Sequence, residues 1–193
     1  MNKKIQIFIF FFTTLYSSPN SNHVATFAGG CFWCMEPPFE KLNGVQEAIS
    51  GYMGGQALNP TYQQVSAGGT GYQEVVQISF NPQIISYEKL LEVFWQTMDP
   101  TDSMGQFVDR GDQYQSTIFY QDISQKDLAE KSKTELEKKK IFDKPIVTKI
   151  IPATKFYPAE DYHQDYYKKN PIRYKYYRYR SGRDQFLKKH WSK

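Results

Sequence analysis

Short apolar segments of strand length alternate with helical patterns along the chain, and this alternation restricts the possible folds more than any other feature. Strands are predicted at 23–28, 45–52, 74–80, 116–120 and 145–151. Helices are predicted at 31–42, 86–98 and 124–142, with a shorter one at 159–168. Residues beyond 171 have no clear period. This order favours an α/β (α+β) fold in which helices cover a mixed sheet.

The composition is that of one folded domain. Of the 193 residues, 40% are hydrophobic and 23% are charged, which is typical of a globular chain rather than a disordered one. The 2 cysteines exclude a disulfide-rich scaffold and a zinc site built from four cysteines. The histidines are scattered at positions 23, 163 and 190, so we expect no metal.

The N-terminus has the pattern of a targeting segment. Two lysines precede an apolar run at 5–16, and a polar, turn-prone stretch follows it. The run is shorter than the roughly 20 apolar residues that span a membrane. We therefore predict a signal peptide at 1–22 and a secreted or periplasmic protein, with an uncleaved membrane anchor as the alternative.

The C-terminus is basic and rich in tyrosine. Ten Lys or Arg and one acidic residue, Asp184, lie within 168–193. Basic residues beside aromatic ones can bind single-stranded nucleic acid, which is one interpretation of this segment. We favour the other, in which 171–193 is an extension that wraps the domain with its charges in solvent, and we expect no nucleic acid as partner.

Two cysteines lie three residues apart in Gly29-Gly30-Cys31-Phe32-Trp33-Cys34, where a strand is expected to turn into a helix. The amides at a helix N-terminus stabilise a thiolate, so we expect a lowered pKa for Cys31. Cys34 lies one turn away, within reach of a disulfide. The pattern predicts a nucleophilic Cys31 and a resolving Cys34. A structural disulfide and a pair of inert buried thiols are the alternatives.

The strand at 74–80 carries a carboxyl group on its apolar face. Glu74 shares the parity of Val76, Ile78 and Phe80, and side chains of one parity share a face. A carboxyl group in such surroundings is harder to ionise than in water, so we expect a raised pKa. A neutral carboxylic acid can donate a proton near neutral pH.

Together these motifs resemble those of the A-type peptide methionine sulfoxide reductases. Gly30-Cys31-Phe32-Trp33 is similar to the family's nucleophile motif, and further motifs follow in the family's order, over roughly 24–170. They are Gly51-Tyr52-Met53-Gly54-Gly55, Asn59-Pro60-Thr61-Tyr62, Gly71-Tyr72-Gln73-Glu74, Gln113-Tyr114 and Ala159-Glu160-Asp161-Tyr162-His163-Gln164. The resemblance implies a catalytic domain at 23–170 that reduces the S epimer of methionine sulfoxide, free or in proteins. It also implies a two-layer sandwich of helices on a mixed sheet, with a ferredoxin-like core and long loops.

The resemblance further implies a role for each site residue. Cys31 attacks the sulfoxide and becomes a sulfenic acid, and Glu74 donates the proton. The other implied residues are Tyr62 and Tyr114, which hydrogen-bond the sulfoxide oxygen, Asp109, which orients this network, and Phe32, Trp33 and Tyr166, which bind the substrate. We assign no catalytic role to Glu160, Asp161 or His163.

The chain departs from the family's pattern at two positions. Many members have Gly in place of Cys34 and carry resolving cysteines near the C-terminus, where this chain has none. We therefore expect a Cys31–Cys34 disulfide recycled by thioredoxin or another dithiol, without a cofactor, in a monomer. An external thiol acting directly on the sulfenic acid is the alternative. Pro158 stands where the family often has an aromatic residue. A general thiol–disulfide oxidoreductase is the competing class of enzyme.

Overall fold

The structure, a computed structural model, describes residues 23–191 of the chain. The predicted signal peptide or anchor at 1–22 lies outside these residues and stays a prediction. Among the helices within 23–191, none combines the length and the apolar character that a membrane span requires.

Eight strands and seven helices make up the described chain. The strands are β1 (His23–Gly29), β2 (Val45–Met53), β3 (Gln73–Phe80), β4 (Gly105–Gln106), β5 (Asp109–Arg110), β6 (Ser116–Tyr120), β7 (Lys149–Pro152) and β8 (Tyr157–Pro158). The helices are α1 (Phe32–Glu40), α2 (Tyr62–Ser66), α3 (Tyr87–Trp95), α4 (Ile123–Lys138), α5 (Tyr166–Lys169), α6 (Pro171–Arg180) and α7 (Arg183–Trp191), with a 3-10 turn at Asp112–Tyr114.

Six of the strands form one sheet in the order β7-β6-β1-β3-β2-β8. The central strands β6, β1, β3 and β2 pair antiparallel with one another, and β3 lies between β1 and β2, which α1 connects. In the same way β1 lies between β3 and β6, and these two strands precede and follow α3 in the chain. This split βαβ arrangement is the predicted ferredoxin-like core. The sheet is mixed because β7 joins β6 in parallel, whereas β8 joins β2 antiparallel.

The main hydrophobic core lies between the sheet and its helices. Phe27 of β1 stacks on Phe39 of α1 and Phe94 of α3, with ring centroids 5.5 and 4.9 Å apart. Ala28, the next residue in β1, points to the other face and packs in a separate small cluster with Phe119. The period of two in β1 therefore separates two apolar layers and fixes the register of the strand that leads into the cysteine motif.

Three segments differ from the sequence predictions. The helix predicted at 159–168 is confined to α5, because Asp165 has a left-handed backbone (φ 54°) and only turns precede it. The strand predicted at 145–151 begins only at Lys149. The segment after 171, which has no clear period, forms α6 and α7, and α6 has no fully buried residue that could have marked an apolar face. The boundary at 170 between domain and extension stays a prediction.

Gly30 makes the turn from β1 to α1 with a left-handed backbone (φ 86°). A Cβ there would lie 2.6 Å from Cβ of Gln106 and 2.8 Å from Nη2 of Arg183. Gly30→Ala combines backbone strain with overpacking, so we expect the free energy of unfolding to fall by about 3 kcal/mol in denaturant titrations. Gly69→Ala is the matched control, because Gly69 also has a positive φ (74°) but open space around it. Its expected loss is about 1 kcal/mol. Equal losses would contradict the role of close packing at Gly30.

Candidate active site

Cys31 occupies the junction between β1 and α1. It is the N-cap residue of α1, and the first amide of that helix, the N–H of Phe32, donates a hydrogen bond to Oε2 of Glu74 at 3.0 Å. Cys34 follows one turn later, and its N–H donates to the carbonyl of Cys31 at 3.0 Å. Both cysteines are free thiols, 7% and 1% exposed respectively. The junction thus brings two thiols and a carboxyl group together.

The more acidic thiol of the pair is Cys34, which corrects the expectation for Cys31. Burial raises the pKa of Cys31 well above its usual value, and the hydrogen bond with Cys34 and the charge of Glu74 raise it further. The hydrogen bond from Cys31 lowers the pKa of Cys34 to about 7, and Arg183 and Arg178 add to this effect while burial opposes it. The position at the helix N-terminus therefore does not outweigh burial at Cys31, and the first helical amide, the N–H of Phe32, donates to Glu74.

Glu74 is a buried carboxyl group in the middle of the sheet. It lies at the start of β3, opposite Tyr52 of β2, and is 1% exposed. Burial raises its pKa to about 8, although the hydrogen bond from Phe32 opposes the shift. The predicted burial and raised pKa are confirmed, and at neutral pH this side chain is mostly a neutral acid.

Tyr62 and Tyr114 are half-buried tyrosines whose phenols face the same charges. Burial raises the pKa of Tyr62 to about 12 and raises that of Tyr114 as well, and the charges of Glu74 and Cys31 contribute to both. Both phenols therefore remain donors of hydrogen bonds at any physiological pH. The family resemblance implies that these two tyrosines share a site with Cys31 and Glu74, and in the structure both interact with the charges of those two residues.

Glu160 forms hydrogen bonds with two tyrosines of the site, Tyr52 and Tyr62. Its carboxylate accepts a hydrogen bond from Oη of Tyr52 at 2.7 Å and another from the N–H of Tyr62 at 2.9 Å. Glu160, for which no catalytic role is predicted, therefore positions Tyr52 and Tyr62 through these two hydrogen bonds. Its motif, Ala159 to Gln164, was the signal for it.

An aromatic group stands on the other side of Cys31. The ring of Trp33 stacks on that of Tyr166 with centroids 3.7 Å apart, and its Nε1–H donates to Nδ1 of His163 at 3.0 Å. Phe32 packs against His163 at 5.0 Å and against Tyr62 at 6.4 Å. The three predicted substrate-binding residues therefore lie together, and His163 fixes two of them.

Pro158 lies exposed in the edge strand β8, paired with Gly51.

The C-terminal helices reach this site, which sequence reasoning missed. Oη of Tyr177 in α6 donates to Oδ2 of Asp109, and burial raises the pKa of that carboxyl group. Arg178 of α6 donates to the carbonyl of Cys34 at 3.3 Å. Arg183 of α7 is 1% exposed, so the interpretation that the charges of this segment all lie in solvent is wrong.

One group of acidic side chains could in principle hold a metal. Glu36, Glu40 and Asp165 present carboxylate oxygens within 4.8 Å of one another. Lys168 forms ion pairs with Glu40 and Asp165, while Glu36 accepts hydrogen bonds from Ser50 Oγ at 2.7 Å and Asp165 N at 2.8 Å. These oxygens already have partners within the protein, so the cluster is explained without an ion.

Known proteins similar to this chain include peptide methionine sulfoxide reductases. A family model described as peptide methionine sulfoxide reductase matches residues 23–193. The chain is 55% identical over 170 residues to peptide methionine sulfoxide reductase MsrA of Bacillus licheniformis, covering 88% of this chain and 94% of that protein. It is 54% identical over 175 residues to MsrA/MsrB of Vibrio cholerae, covering 91% of this chain but only 46% of that longer protein.

Solved structures show the same similarity. Mxr1 from Saccharomyces cerevisiae in reduced form matches with a TM-score of 0.75 and 35% identity, over 80% of this chain and 89% of that chain. Mxr1 has also been solved in complex with Trx2, and that structure matches with a TM-score of 0.53 and 24% identity, over 80% of this chain and 91% of that one.

Proposed function

The chain belongs to the peptide methionine sulfoxide reductase family, and we propose that it reduces the S epimer of methionine sulfoxide, free or in proteins, through Cys31, Glu74 and Cys34. The first step is attack of the Cys31 sulfur on the sulfoxide sulfur. The sulfoxide oxygen is protonated and passes as a hydroxyl group from the substrate sulfur to Sγ of Cys31. The transient bond between the two sulfurs breaks with its electron pair on the substrate sulfur, which releases methionine and leaves Cys31 as a sulfenic acid.

The hydrogen bond between Phe32 and Glu74 is the observation that carries this proposal. It places a buried carboxyl group with a pKa of about 8 next to the residue that follows Cys31. A general acid works best when its pKa lies near the operating pH. Glu74 is therefore suited to protonate the sulfoxide oxygen, and the phenols of Tyr62 and Tyr114 can hydrogen-bond the same oxygen while Asp109 orients the network through Tyr177.

The aromatic side of the site supplies the substrate contacts. Phe32 and Trp33, with Tyr166 stacked on Trp33, form an apolar surface beside Cys31 that suits the methyl group of the substrate. His163 accepts the Trp33 N–H and fixes the indole in place. Binding the methyl group here would direct the sulfoxide oxygen toward the tyrosines and so select one epimer.

Cys34 completes the redox cycle in this proposal. It is the only other cysteine in the sequence, and it already contacts Cys31 through a hydrogen bond. Its thiolate attacks the Cys31 sulfenic acid, an S–S bond forms, and the oxygen leaves as water. A thioredoxin or another dithiol then reduces the disulfide, which the complex of Mxr1 with Trx2 supports by analogy.

A single-turnover assay without reductant tests this proposal. Reduced enzyme is mixed separately with the S and R epimers of methionine sulfoxide, and both the methionine formed and the thiols lost are counted. We expect one methionine per enzyme from the S epimer, with two thiols lost. Methionine from neither epimer, with folded and reduced protein, would reject the function.

Cys34→Ser separates chemistry from recycling. We expect this variant still to release about one methionine per enzyme, because Cys31 remains, and to retain a sulfenic acid that mass spectrometry can detect after dimedone labelling. Steady-state turnover with thioredoxin should fall at least about tenfold. Unchanged turnover would show that an external thiol acts directly on the sulfenic acid.

A further inference from the structure

Arg183 is a buried cation without an ion-pair partner. Its guanidinium donates to the carbonyls of Thr97, at 2.5 Å, and Gly29, at 3.1 Å, and lies 4.8 Å from the ring centroid of Phe107. Within residues 23–191 it forms no salt bridge with a carboxylate. Burying a charge without a partner is costly, and carbonyl dipoles compensate for it only in part. The charge of Asp109 interacts with that of Arg183, but Asp109 accepts its hydrogen bond from Tyr177. An anion that forms closer to Arg183 during the reaction cycle would add a further counter-charge.

Cys34 is the group that can become this anion. Pro38 lacks the N–H that would bond the Cys34 carbonyl in a regular helix, and Nη1 of Arg178 donates to that carbonyl instead at 3.3 Å. Arg183 lies against the residues on either side of the cysteine motif, with Nη1 3.9 Å from Sδ of Met35 and Nη2 3.1 Å from the carbonyl of Gly29. The charges of both arginines lower the pKa of Cys34. The titratable and charged groups that face Cys34 are Cys31, Glu74, Asp109, Tyr174, Tyr177, Arg178 and Arg183.

The two sulfurs differ in access as well as in charge. Cys31 is 7% exposed and faces the tyrosines of the substrate site, whereas Cys34 is 1% exposed and lies beneath α6. The path that admits a methionine sulfoxide side chain to Cys31 also admits a thiol. A nucleophile approaching Cys34 would first have to displace Arg178.

We propose that a dithiol reductant opens the Cys31–Cys34 disulfide by attacking Cys31, and that Cys34 leaves as a thiolate whose counter-charge is Arg183. The inference rests on the proposed function, in that it requires this disulfide. Arg183 acts here as a positioning residue, because it affects the step through Cys34 and touches neither substrate nor reductant.

The electrons balance as in ordinary thiol–disulfide exchange. The reductant's thiolate sulfur bonds to Sγ of Cys31, the S–S bond to Cys34 breaks, and its electron pair leaves on Sγ of Cys34. The reductant's second thiol then attacks the mixed disulfide. Cys31 is released with the electron pair of that bond, and the reductant departs as an oxidised disulfide. A leaving thiolate of lower pKa departs faster, so Arg183 should accelerate the first of these two steps.

The direct test uses the unmodified enzyme. The Cys31–Cys34 disulfide is formed with diamide, independently of sulfoxide turnover, and is mixed with a thioredoxin that lacks its second active-site cysteine. The adduct is quenched in acid and alkylated, and fragment ions that split the peptide between Phe32 and Trp33 locate the link. We expect the link at Cys31 and the alkyl group at Cys34. A link at Cys34 would overturn the inference and leave the proposed reductase function intact.

Arg183→Met tests the counter-charge. In a Cys31→Ser background, we expect the pH midpoint of Cys34 alkylation to rise by about 1 in Arg183→Met, since an opposite charge nearby is removed. The disulfide of the otherwise unmodified Arg183→Met protein should open about tenfold more slowly with dithiothreitol. Arg183→Lys should restore much of both properties, and Arg180→Met, at an exposed position on α6, should change neither. A midpoint unchanged in folded Arg183→Met would overturn the role of Arg183. If that variant does not fold, the location of the link in the unmodified enzyme still decides the direction of attack.

Discussion

Cys31→Ser is expected to lower methionine formation in a single turnover to less than about a thousandth of the unmodified rate, because a buried serine hydroxyl is a far weaker nucleophile than a thiol. The outcome is not settled by acidity, since Cys34 has the lower pKa of the pair. The surroundings of each thiol decide which of the two attacks the substrate. Cys31 lies beside Glu74, Tyr62 and Tyr114, whereas Cys34 lies beneath α6.

Cys34→Ser is the matched comparison for Cys31→Ser. Both variants retain one buried thiol, and both replace one sulfur atom by oxygen in the same helix. If acidity chose the nucleophile, Cys34→Ser would lose the first methionine and Cys31→Ser would keep it. We expect the opposite result, measured as methionine per enzyme in rapid-quench experiments with the S epimer. Unfolding titrations of both variants show whether either loss is due to misfolding.

The lowered pKa of Cys34 also suggests how Cys31 is activated. A thiol of raised pKa must lose its proton as it attacks. The two thiols shift each other's pKa, Cys31 upward and Cys34 downward, so Cys34 is the thiol of the pair that is suited to accept the proton that Cys31 loses. Arg183 and Arg178 hold the negative charge on Cys34 until this happens. The same two cations thus favour the charged form of Cys34 before the attack and again when the disulfide opens.

The sequence could predict the core of the fold because its apolar patterns are local. Phe27 and Ala28 alternate between two layers as a strand requires, and Ser86 caps α3 through a hydrogen bond with the N–H of Lys89 at 3.2 Å. Glu74 could be placed on an apolar face from parity alone. Its partner, the N–H of Phe32, is 42 residues away in the chain and could be found only in the fold.

The contribution of the C-terminal segment could not be predicted for the same reason. Arg183 is a charged residue in a basic, exposed-looking stretch, and it is buried only because Gly29 and Thr97 present carbonyls to it from other elements. Arg178 can donate a hydrogen bond to the Cys34 carbonyl because Pro38 has no N–H to donate to it within the helix. Pro37 and Pro38 both lack the N–H that a regular helix needs, yet α1 forms, and one of the two carbonyls left without a helical donor accepts a hydrogen bond from Arg178.

The second large effect is expected for Glu74→Gln. The rate of methionine formation should fall by about 10²–10⁴-fold, which is the usual contribution of a general acid. Glutamine keeps an oxygen that can accept the Phe32 N–H, so the local structure should persist while the acidic proton is lost. Glu88→Gln, at an exposed position in α3, is the control and should leave the rate unchanged. A Glu74→Gln variant with an unchanged single-turnover rate would exclude Glu74 as the proton donor.

The pH dependence gives this prediction a second readout. Only the protonated form of Glu74 can donate, so the rate for the unmodified enzyme should decrease as the pH rises through about 8, and this decrease should be absent from Glu74→Gln. The stability of the unmodified enzyme should fall over the same pH range. The folded state holds this proton more tightly than the unfolded chain does, so its stabilising effect is complete below the usual pKa of 4.5 and is lost as the pH rises through about 8. At pH 9, therefore, Glu74→Gln should be the more stable protein in urea titrations, by up to about 5 kcal/mol, and at pH 4 the two should be alike. If Glu74→Gln is more stable than the unmodified enzyme at pH 9 but less active, the burial of Glu74 serves catalysis and not folding.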